Sequence, residues 1–255
     1  MTMDAEAADR PLLSVVVPVF NEADTIEQLV DDLGRELIPA VESVEVIVVD
    51  DCSTDETPEI LDQLAADRPW LDVQRAARNG GHGPSVTRGL ARARAGWVFQ
   101  LDSDGQFVVA EFARLWDQRG AADLVLGVRT DRHDPLHRLL LTRAVRLVTS
   151  LLAGRRVRDA NTPFRLVRRS LLDDMTPLLE PGTLAPNILI TLGASVRGWR
   201  LVEVPVTHLE REQGVSTLRK VRLLRFSLRG LGQLVAFRYR IARAPSVHAG
   251  EETAR

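Results

Sequence analysis

Two aspartates one residue apart, Asp102 and Asp104, directly follow an apolar segment in the stretch VFQLDSDGQF. On a tight turn, carboxylates at this spacing can present oxygens to one hard divalent cation, such as Mg²⁺ or Mn²⁺, which also keeps waters and binds substrate phosphates. A calcium-binding loop of the helix–loop–helix type is excluded, because Gly105 directly follows the second aspartate, before the third acid or amide that the pattern requires. The alternative is a turn whose two charges are simply solvated, and the spacing alone leaves both interpretations open.

Other polar residues stand at the ends of other apolar runs. Asn21 and Glu22 follow LLSVVVPVF, Asp50 and Asp51 end VEVIVVDD, and Arg129 ends ADLVLGVR. Short runs rich in β-branched residues predict buried strands. Ligands of parallel sheets bind at the carboxyl ends of the strands. We therefore expect these side chains and the aspartate pair to converge on one rim.

Strands alternate with helices through the first half of the chain. The apolar runs predict strands over residues 12–20, 44–51, 71–75, 97–102 and 122–129. Between them, the spacing of apolar residues and the turn signals predict helices over residues 24–37, 56–66, 84–95 and 109–118. This alternation indicates an α/β fold with a mostly parallel central sheet and helices on both faces.

The pattern changes after residue 135. Helices are predicted over residues 135–153 and 217–240, a mixed loop and strand over 158–170, and a further strand over 198–208. The expected organisation is a disordered lead (1–10), one domain (11–215), a basic amphipathic helical appendage (216–243) and a flexible tail (244–255).

Composition and charge exclude several classes of function. The 255 residues carry a net charge of −2, which argues against general binding of nucleic acid. The single cysteine, Cys52, excludes an internal disulfide and is typical of a reducing cytosol. No apolar run approaches the roughly 18 residues of a membrane span, and the polar first residues lack the pattern of a secretion signal. We therefore expect a cytoplasmic chain that does not cross a membrane.

Two further motifs flank the predicted rim. In VVDDCSTDET, the carboxylates of Asp50 and Asp51 can accept hydrogen bonds from a base or ribose, whereas the polar residues after them can cap the following helix. In NGGHGPS, the glycines allow an anion to approach a helix N-terminus closely. That motif lacks the spacing of dinucleotide and phosphate loops, so a tight turn before a helix explains it equally well.

The chain resembles the family-two inverting glycosyltransferases through six motifs that occur in order: VVVPVFNE, VVDDCSTDET, NGGHGPSVTRGL, LDSDGQF, GVR and EVPVTHLEREQGVSTLR. It is most similar to the polyprenyl-phosphate sugar transferases of the dolichyl-phosphate mannose synthase type, over residues 12 to 225. The resemblance implies a GT-A fold and a nucleotide diphosphate sugar, of the GDP-mannose or UDP-glucose type, as donor. It implies a polyprenyl phosphate as acceptor.

The resemblance also implies roles for individual residues. The aspartate pair would bind the Mg²⁺ or Mn²⁺ that bridges the diphosphate of the donor. The catalytic residues would be Asp102, Asp104, Arg129 and Arg211. The donor would contact Pro18, Phe20, Asn21, Glu22, Asp50, Asp51, Gly81, His82, Ser103 and Gln106. The acceptor phosphate would meet Arg138, Thr142, Arg165, Thr217 and Lys220.

The sequence departs from the family pattern in several places. Relatives that glycosylate hydroxyls have a carboxylate base late in the chain, but the corresponding stretch here, GTLAPNILITLG, has Asn187 and no acid. His82 stands where a lysine or arginine is common, and residues 162–165 read TPFR instead of S-G-F-R. Thr217 stands in place of a lysine, for which Arg219 or Lys220 can substitute because only a cation near the phosphate is required. A phosphate acceptor tolerates the missing base, because it is already anionic near neutral pH.

The leading hypothesis is a metal-dependent inverting transfer of a hexose, mannose or glucose, to a polyprenyl phosphate at the inner face of the cell membrane. One alternative is transfer to a saccharide or small-molecule hydroxyl, with Glu203 or Glu210 as the base. The other is a non-catalytic protein that binds nucleotide sugars and has kept the fold.

The C-terminal segment STLRKVRLLRFSLRGLGQLVAFRYR mixes basic and apolar residues at helical spacing. Such a helix can lie in a membrane interface, where each basic residue near an anionic leaflet contributes about 1 kcal/mol. It can also pack on the core and leave its charged face in water. A lipid acceptor favours the membrane, so we expect a peripheral protein that binds the membrane surface or docks on a membrane-protein partner.

Overall fold

Seven strands of the described chain form one central sheet. The computed structural model describes residues 11–129, 146–209 and 220–245, and in the last range the side chains from residue 229 onwards. The strands are β1 (Leu13–Val19), β2 (Val44–Asp50), β3 (Leu71–Arg75), β4 (Trp97–Gln100), β5 (Leu124–Arg129), β6 (Arg165–Arg168) and β7 (Leu201–Val206). They lie in the order β3-β2-β1-β4-β6-β5-β7, so β1 and β4 are neighbours near the centre.

One strand, β6, runs against the others. β1 pairs in parallel with β2 and β4, β2 with β3, and β5 with β7, whereas β6 is antiparallel to β4 and β5. The mostly parallel sheet expected from the sequence is therefore confirmed. Because β6 is reversed, its first residue, Arg165, pairs with Gln100 at the end of β4 and lies at the carboxyl edge of the sheet.

Helices cover both faces of the sheet. They are α1 (Ile26–Leu37), α2 (Thr57–Ala66), α3 (His82–Arg92), α4 (Phe112–Trp116), α5 (Arg169–Met175), α6 (Pro186–Val196) and α7 (Lys220–Arg243). Residues 146–153 are helical as well. One apolar layer packs the sheet against α1, α2 and α4, and a second packs it against α3, α5, α6 and the second half of α7.

Local sequence explains the central elements. All seven residues of β1 are buried, as expected of a parallel strand covered on both faces. The apolar residues of α1 that repeat at helical spacing are all buried: Ile26, Leu29, Val30, Leu33 and Leu37. This stripe holds α1 on the sheet and fixes the loop before it, which carries Asn21 and Glu22.

Two helices, α5 and α6, were not predicted from the sequence pattern. α6 is buried on all sides from Pro186 to Ala194, so it has no polar face and no amphipathic spacing. α5 has no preceding loop, because it begins at Arg169 directly after β6 ends. The single helix predicted over residues 109–118 is instead α4 between two short 3₁₀ turns.

The helix α7 belongs partly to the core. Its second half buries Leu234, Phe237 and Ile241 in the second apolar layer, so this half is not the separate appendage that the sequence suggested. None of the described helices is long and apolar enough to cross a membrane. The predicted lead (1–10), and the predicted tail from residue 246, lie outside the described residues.

Gly89 brings α3 into direct contact with β1, since a Cβ at this position would lie 2.4 Å from Val16 Cγ1. We expect Gly89→Ala to lower the free energy of unfolding by about 1–3 kcal/mol, because overpacking outweighs a gain of about 1 kcal/mol in helix propensity. The matched control is Gly230→Ala on α7, where a Cβ would meet nothing within 4 Å. The control should be neutral or stabilising. Urea unfolding measures both variants, and equal stabilities would contradict the tight packing.

Candidate functional site

A cleft opens at the carboxyl ends of β1, β2 and β4. Its volume is about 340 Å³, which is usual for a small-molecule site. It is lined by Pro18, Val19, Phe20, Glu22, Asp51, Asn79, Gly81, His82, Ser85, Asp102, Ser103 and Asp104. Four of these side chains are carboxylates and one is an imidazole, so the lining is strongly acidic.

The cleft brings together most of the residues expected at the donor site. Of the expected residues, those in the lining are Pro18, Phe20, Glu22, Asp51, Gly81, His82, Asp102, Ser103 and Asp104. Asn79 and Ser85, which begin and end the stretch NGGHGPS, also line the cleft, although the sequence analysis assigned neither of them a role. The Asn-Gly pair at residues 79–80 is a turn signal that could have drawn attention to the first of them.

The aspartate pair lies on a loop that is anchored to neighbouring elements. Ser103, between the two aspartates, is buried, and its Oγ donates to the carbonyl of Pro18 at 3.0 Å. Thr25 Oγ1 donates to the carbonyl of Ser103 at 2.8 Å. Gly105 turns the chain with a φ of 68°, a conformation that glycine adopts without strain. The backbone that carries the two aspartates is therefore tied to the end of β1 and to the residue before α1.

His82 faces the first of these aspartates. Its Nε2 lies 2.9 Å from Asp102 Oδ1. Burial lowers the pKa of the His82 imidazole, but the hydrogen bond to Asp102 and the charges of Asp102, Asp104 and Asp51 outweigh it and raise the pKa above its ordinary value. A protonated imidazole at this position supplies positive charge to the acidic cleft.

Asp51 both lines the cleft and shapes its wall. Its Oδ1 accepts from the amide of Gly80 at 2.9 Å, and its Oδ2 accepts from the amide of Gly81 at 2.6 Å. Gly81 has a φ of 88°, a backbone conformation that favours glycine. Each carboxylate oxygen has a second lone pair, so Asp51 can hold this loop and still accept from a ligand.

Asn21 and Asp50 do not line the cleft, although the sequence suggested that they contact the donor. Asn21 adopts a φ of 54°, and its Oδ1 accepts from the amide of Thr54 at 2.8 Å. Asp50 is buried, and its Oδ1 accepts from the amide of Ser53 at 2.9 Å. Both side chains fasten the loop after β2 and so position Asp51, rather than facing a ligand.

Gln106 likewise faces another part of the chain. Its Nε2 donates to the carbonyl of Leu209 at 3.0 Å, and the amide of Leu209 donates to the carbonyl of Gln106 at 2.8 Å. It is therefore absent from the cleft lining, and it ties the aspartate loop to the chain that follows β7.

Arg129 forms a paired contact with an acid that the sequence analysis overlooked. Its Nε and Nη2 donate to the two carboxylate oxygens of Asp159, at 2.6 Å and 3.0 Å. The side chains are only 12% and 9% exposed. This geometry directs two donors of the Arg129 guanidinium to the loop before β6, and the phosphate contact expected from the sequence stays a prediction. A two-point contact of this kind fixes both partners.

Arg165 is an interior residue, which contradicts its expected contact with the acceptor phosphate. It is 1% exposed, and burial lowers its pKa to about 9. Its guanidinium donates to the carbonyls of Thr162, Asn187 and Ala160 at 2.7, 2.9 and 2.8 Å. It therefore joins the loop before β6 to α6, and these donors do not point to solvent.

Asn187 lies in the first turn of α6 and is buried. Its Oδ1 is among the buried side-chain atoms for which the described part of the chain supplies no hydrogen-bond partner. No acidic residue occurs in α6, Pro186–Val196. Where the sequence has an amide in place of the expected late carboxylate base, the structure therefore has a buried asparagine in a helix without acids.

Five of the predicted residues receive no structural account. Arg138, Thr142, Arg211 and Thr217 lie outside the described residues, and Lys220 begins α7 within the stretch whose side chains are not described.

A loop of three residues, 182–184, connects α7 with the wall of the cleft. The amide of Leu184 donates to Gln233 Oε1 at 3.0 Å, and Gln233 Nε2 donates to the carbonyl of Gly182 at 3.2 Å. On its other side the loop packs on α3, where a Cβ at Gly83 would come within 2.0 Å of the carbonyl oxygen of Thr183. Gly83 directly follows His82, so α7 contacts the cleft through one intervening loop.

The two aspartates fit a hard divalent cation. Ions of the Mg²⁺ type take one or two carboxylates from the protein, and fill their other positions with waters and substrate phosphates. Among the residues that the structure describes, no cluster of three or more His, Cys, Asp or Glu side chains is arranged to hold a metal ion. A cation on Asp102 and Asp104 would take its other ligands from water and substrate phosphates.

The chain is similar in sequence to known proteins. The model of Glycosyl transferase family 2 matches residues 14–176. A polyprenol monophosphomannose synthase of Mycolicibacterium smegmatis is 32% identical over 216 residues, which cover 80% of this chain and 80% of that protein. An undecaprenyl-phosphate 4-deoxy-4-formamido-L-arabinose transferase of Edwardsiella ictaluri is 32% identical over 222 residues, covering 83% of this chain. This chain spans 64% of that second protein.

Solved structures share the fold. Glucosyl-3-phosphoglycerate synthase of Mycobacterium tuberculosis, in complex with Mn²⁺, UDP-glucose and phosphoglyceric acid, matches with a TM-score of 0.66 at 21% identity. The match covers 92% of this chain and 81% of that one. TarS of S. aureus, in complex with UDP, matches with a TM-score of 0.54 at 23% identity and covers 79% of this chain and 58% of that one. These likenesses concern the fold alone, and they confirm the expected GT-A architecture.

The interior placement of Arg165 predicts a structural defect when it is replaced. Arg165→Met should lower the free energy of unfolding by about 3–5 kcal/mol, because several buried carbonyls lose their donor at about 1–3 kcal/mol each. The control is Arg158→Met, whose side chain is 61% exposed and pairs with Glu203. It should change stability by less than about 1 kcal/mol. Denaturant unfolding measures both, and a stable Arg165→Met with weakened acceptor binding alone would restore the phosphate role.

Proposed function

Because this chain belongs to glycosyl transferase family 2, we propose that it transfers a hexose, mannose or glucose, from a nucleotide diphosphate sugar to a polyprenyl phosphate, with inversion at the anomeric carbon. The proposed donor is of the GDP-mannose or UDP-glucose type. The curated relatives support the acceptor, since one is a polyprenol monophosphomannose synthase and another an undecaprenyl-phosphate sugar transferase.

The acidic lining of the cleft is the observation that carries this proposal. Glu22, Asp51, Asp102 and Asp104 meet there, with His82 as the one ionisable base among the lining residues. Such a cleft repels a diphosphate unless a cation binds with it. Mg²⁺ or Mn²⁺ on the aspartate pair would supply that charge and stabilise the departing diphosphate.

The proposed reaction needs no proton transfer at the acceptor. A phosphate oxygen of the polyprenyl phosphate forms a bond to the anomeric carbon, and the bond from that carbon to the diphosphate oxygen breaks. The electron pair of the broken bond leaves with the nucleoside diphosphate. The acceptor phosphate is anionic near neutral pH, so no base is required. This agrees with the amide of Asn187 at the start of α6.

The lining residues divide into two groups under this proposal. Pro18, Phe20, Glu22 and Asp51, at the ends of β1 and β2, would contact the base and ribose. The imidazole of His82 would supply positive charge beside the aspartate pair, where relatives commonly have a lysine or arginine. For phosphate contacts outside the described side chains we retain, on sequence grounds, Arg138, Thr142, Arg211, Thr217 and Lys220.

The alternative hydroxyl acceptor receives less support. Glu203, one of its candidate bases, lies on β7 and is absent from the cleft lining. Its Oε1 accepts from the amide of Arg158 at 2.6 Å. Glu210, the other candidate, lies outside the described residues.

We further propose that the protein acts as a peripheral protein at the cytoplasmic face of the membrane, because its acceptor is a lipid.

We expect nucleotide binding to depend on the metal. GDP or UDP should bind the protein in the presence of Mn²⁺ or Mg²⁺. Chelating the metal should lower the affinity at least about a hundredfold, because the diphosphate then faces four carboxylates, and losing even a group that only orients a metal ligand costs about ten- to a hundredfold. Asp102→Asn and Asp104→Asn should reproduce the loss in the presence of metal. Asp117→Asn, an exposed carboxylate away from the cleft, is the control. Calorimetry measures all three, and metal-independent binding would contradict the proposed role of the aspartates.

The acceptor is tested with a matched pair of lipids. Labelled GDP-mannose and UDP-glucose are incubated with Mn²⁺, the protein and either a polyprenyl phosphate or the same polyprenol without its phosphate. We expect a lipid-linked sugar from the phosphate only, since the polyprenol hydroxyl needs a base to remove its proton. A product on polyprenol or on a saccharide hydroxyl would favour the hydroxyl alternative. Metal-dependent binding with no turnover of any donor would favour the non-catalytic one.

A further inference from the structure

Two helical segments present large apolar side chains to solvent. On α7, Leu231, Val235 and Tyr239 follow at intervals of four residues and are 42%, 55% and 56% exposed. On helical residues 146–153, Leu147 and Leu151 repeat this interval and are 61% and 71% exposed. These five are the majority of the nine large hydrophobic side chains that are exposed in the described part of the chain. Exposed apolar surface is therefore concentrated on these two segments.

The two segments touch each other. Arg238 Nε donates to the carbonyl of Leu152 at 3.3 Å. Val235, Arg238 and Ile241 are spaced by three residues, so they step around α7 from its exposed side to its buried side. The exposed stripe of α7 consequently adjoins the segment that carries Leu151. We call the five exposed side chains Leu147, Leu151, Leu231, Val235 and Tyr239 the two-helix surface.

The surroundings of the two-helix surface are basic. Neither residues 146–156, RLVTSLLAGRR, nor residues 220–245 contain an Asp or Glu. Arg146, Arg155 and Arg156 are exposed beside the first segment. On α7, the guanidinium of Arg243 lies 3.8 Å from the centre of the Tyr239 ring. One acid from elsewhere in the chain, Glu180, pairs with Arg240 on the same helix. Apolar side chains flanked mostly by arginine are typical of helices that bind anionic lipid surfaces.

We propose that the two-helix surface docks on an anionic lipid bilayer, with its apolar side chains at the level of the headgroups and the arginines against lipid phosphates. A second copy of this chain fits less well, because a symmetric contact would bring two basic surrounds together. The proposal deepens the proposed function and rests on it only in that a lipid acceptor has to be reached at a bilayer.

The same helix leads from this surface to the donor cleft. Gln233, two residues before Val235, binds both ends of the loop 182–184. That loop packs on Gly83 beside the cleft. A bilayer held against α7 is thus linked by one loop to the wall of the cleft, which suits an enzyme whose acceptor phosphate emerges from the lipid surface.

Vesicle flotation of the full chain tests the proposal. The vesicles contain phosphatidylcholine alone, or phosphatidylcholine with phosphatidylglycerol at about two to one. We expect the protein to float with the anionic vesicles and not with the neutral ones. Leu151→Glu combined with Val235→Glu should weaken anionic binding at least about tenfold. Arg155→Gln combined with Arg156→Gln should weaken it about tenfold as well, through the lost charge.

The control is Ile38→Glu, an exposed apolar residue at the end of α1, which should bind vesicles like the unchanged protein. Thermal unfolding and Mn²⁺-dependent nucleotide binding should be the same in all variants, which shows that the fold is intact. The proposal is overturned if the unchanged protein floats with neither vesicle, or if the paired glutamates have no effect. It is also overturned if they only dissociate a dimer in light scattering.

Failure of the surface and failure of the function give different results. If the unchanged protein floats with anionic vesicles but transfers no sugar, the proposed function fails and the surface stands. If it transfers sugar to a short-chain, water-soluble polyprenyl phosphate but does not float, the function stands and the surface fails.

Discussion

The crowding of four carboxylates on one rim is the constraint on which the rest of the site depends. Glu22, Asp51, Asp102 and Asp104 follow three neighbouring strands, and like charges brought together repel one another. The surrounding loops offset part of this cost. Two glycine amides donate to Asp51, and the imidazole of His82 faces Asp102. Both loops thus place donors against the carboxylates, and the surplus of negative charge that remains is one that a bound cation would offset.

Behind the rim, arginines serve the architecture. Arg165 donates to two carbonyls of the loop before β6 and to one carbonyl of α6. Arg129 donates two hydrogen bonds to Asp159. A planar guanidinium with five donors suits this task, since it can satisfy several backbone groups that burial has taken from water. The reversed strand β6 makes this possible, because its first residue lies at the carboxyl edge of the sheet, next to the end of β4.

The rim could be predicted from the sequence because the acids directly follow apolar runs, and strand ends in a parallel sheet meet at one edge. The roles of Asn21, Asp50 and Arg165 could not. The residue type does not tell whether an amide, a carboxylate or a guanidinium binds a ligand or a backbone group. Burial of the side chain in the folded protein distinguishes the two roles. Helix α6 was missed for a related reason, since a helix buried on all sides has no periodic polar face. The spacing of apolar and polar residues predicts a helix or strand that has one face in the core and one in water. It does not predict an element that is buried on all sides.

The contact between Arg129 and Asp159 has a consequence for how this chain can diversify. It clamps together the two ends of a long excursion between β5 and β6, so the chain leaves the sheet and returns to it at nearly the same point. Closing such a loop costs only about 0.6 kcal/mol more for each doubling of its length. Insertions and deletions between the two anchors are therefore cheap. The excursion can change in length with little loss of stability, while the acidic rim, built from other strands, keeps its geometry.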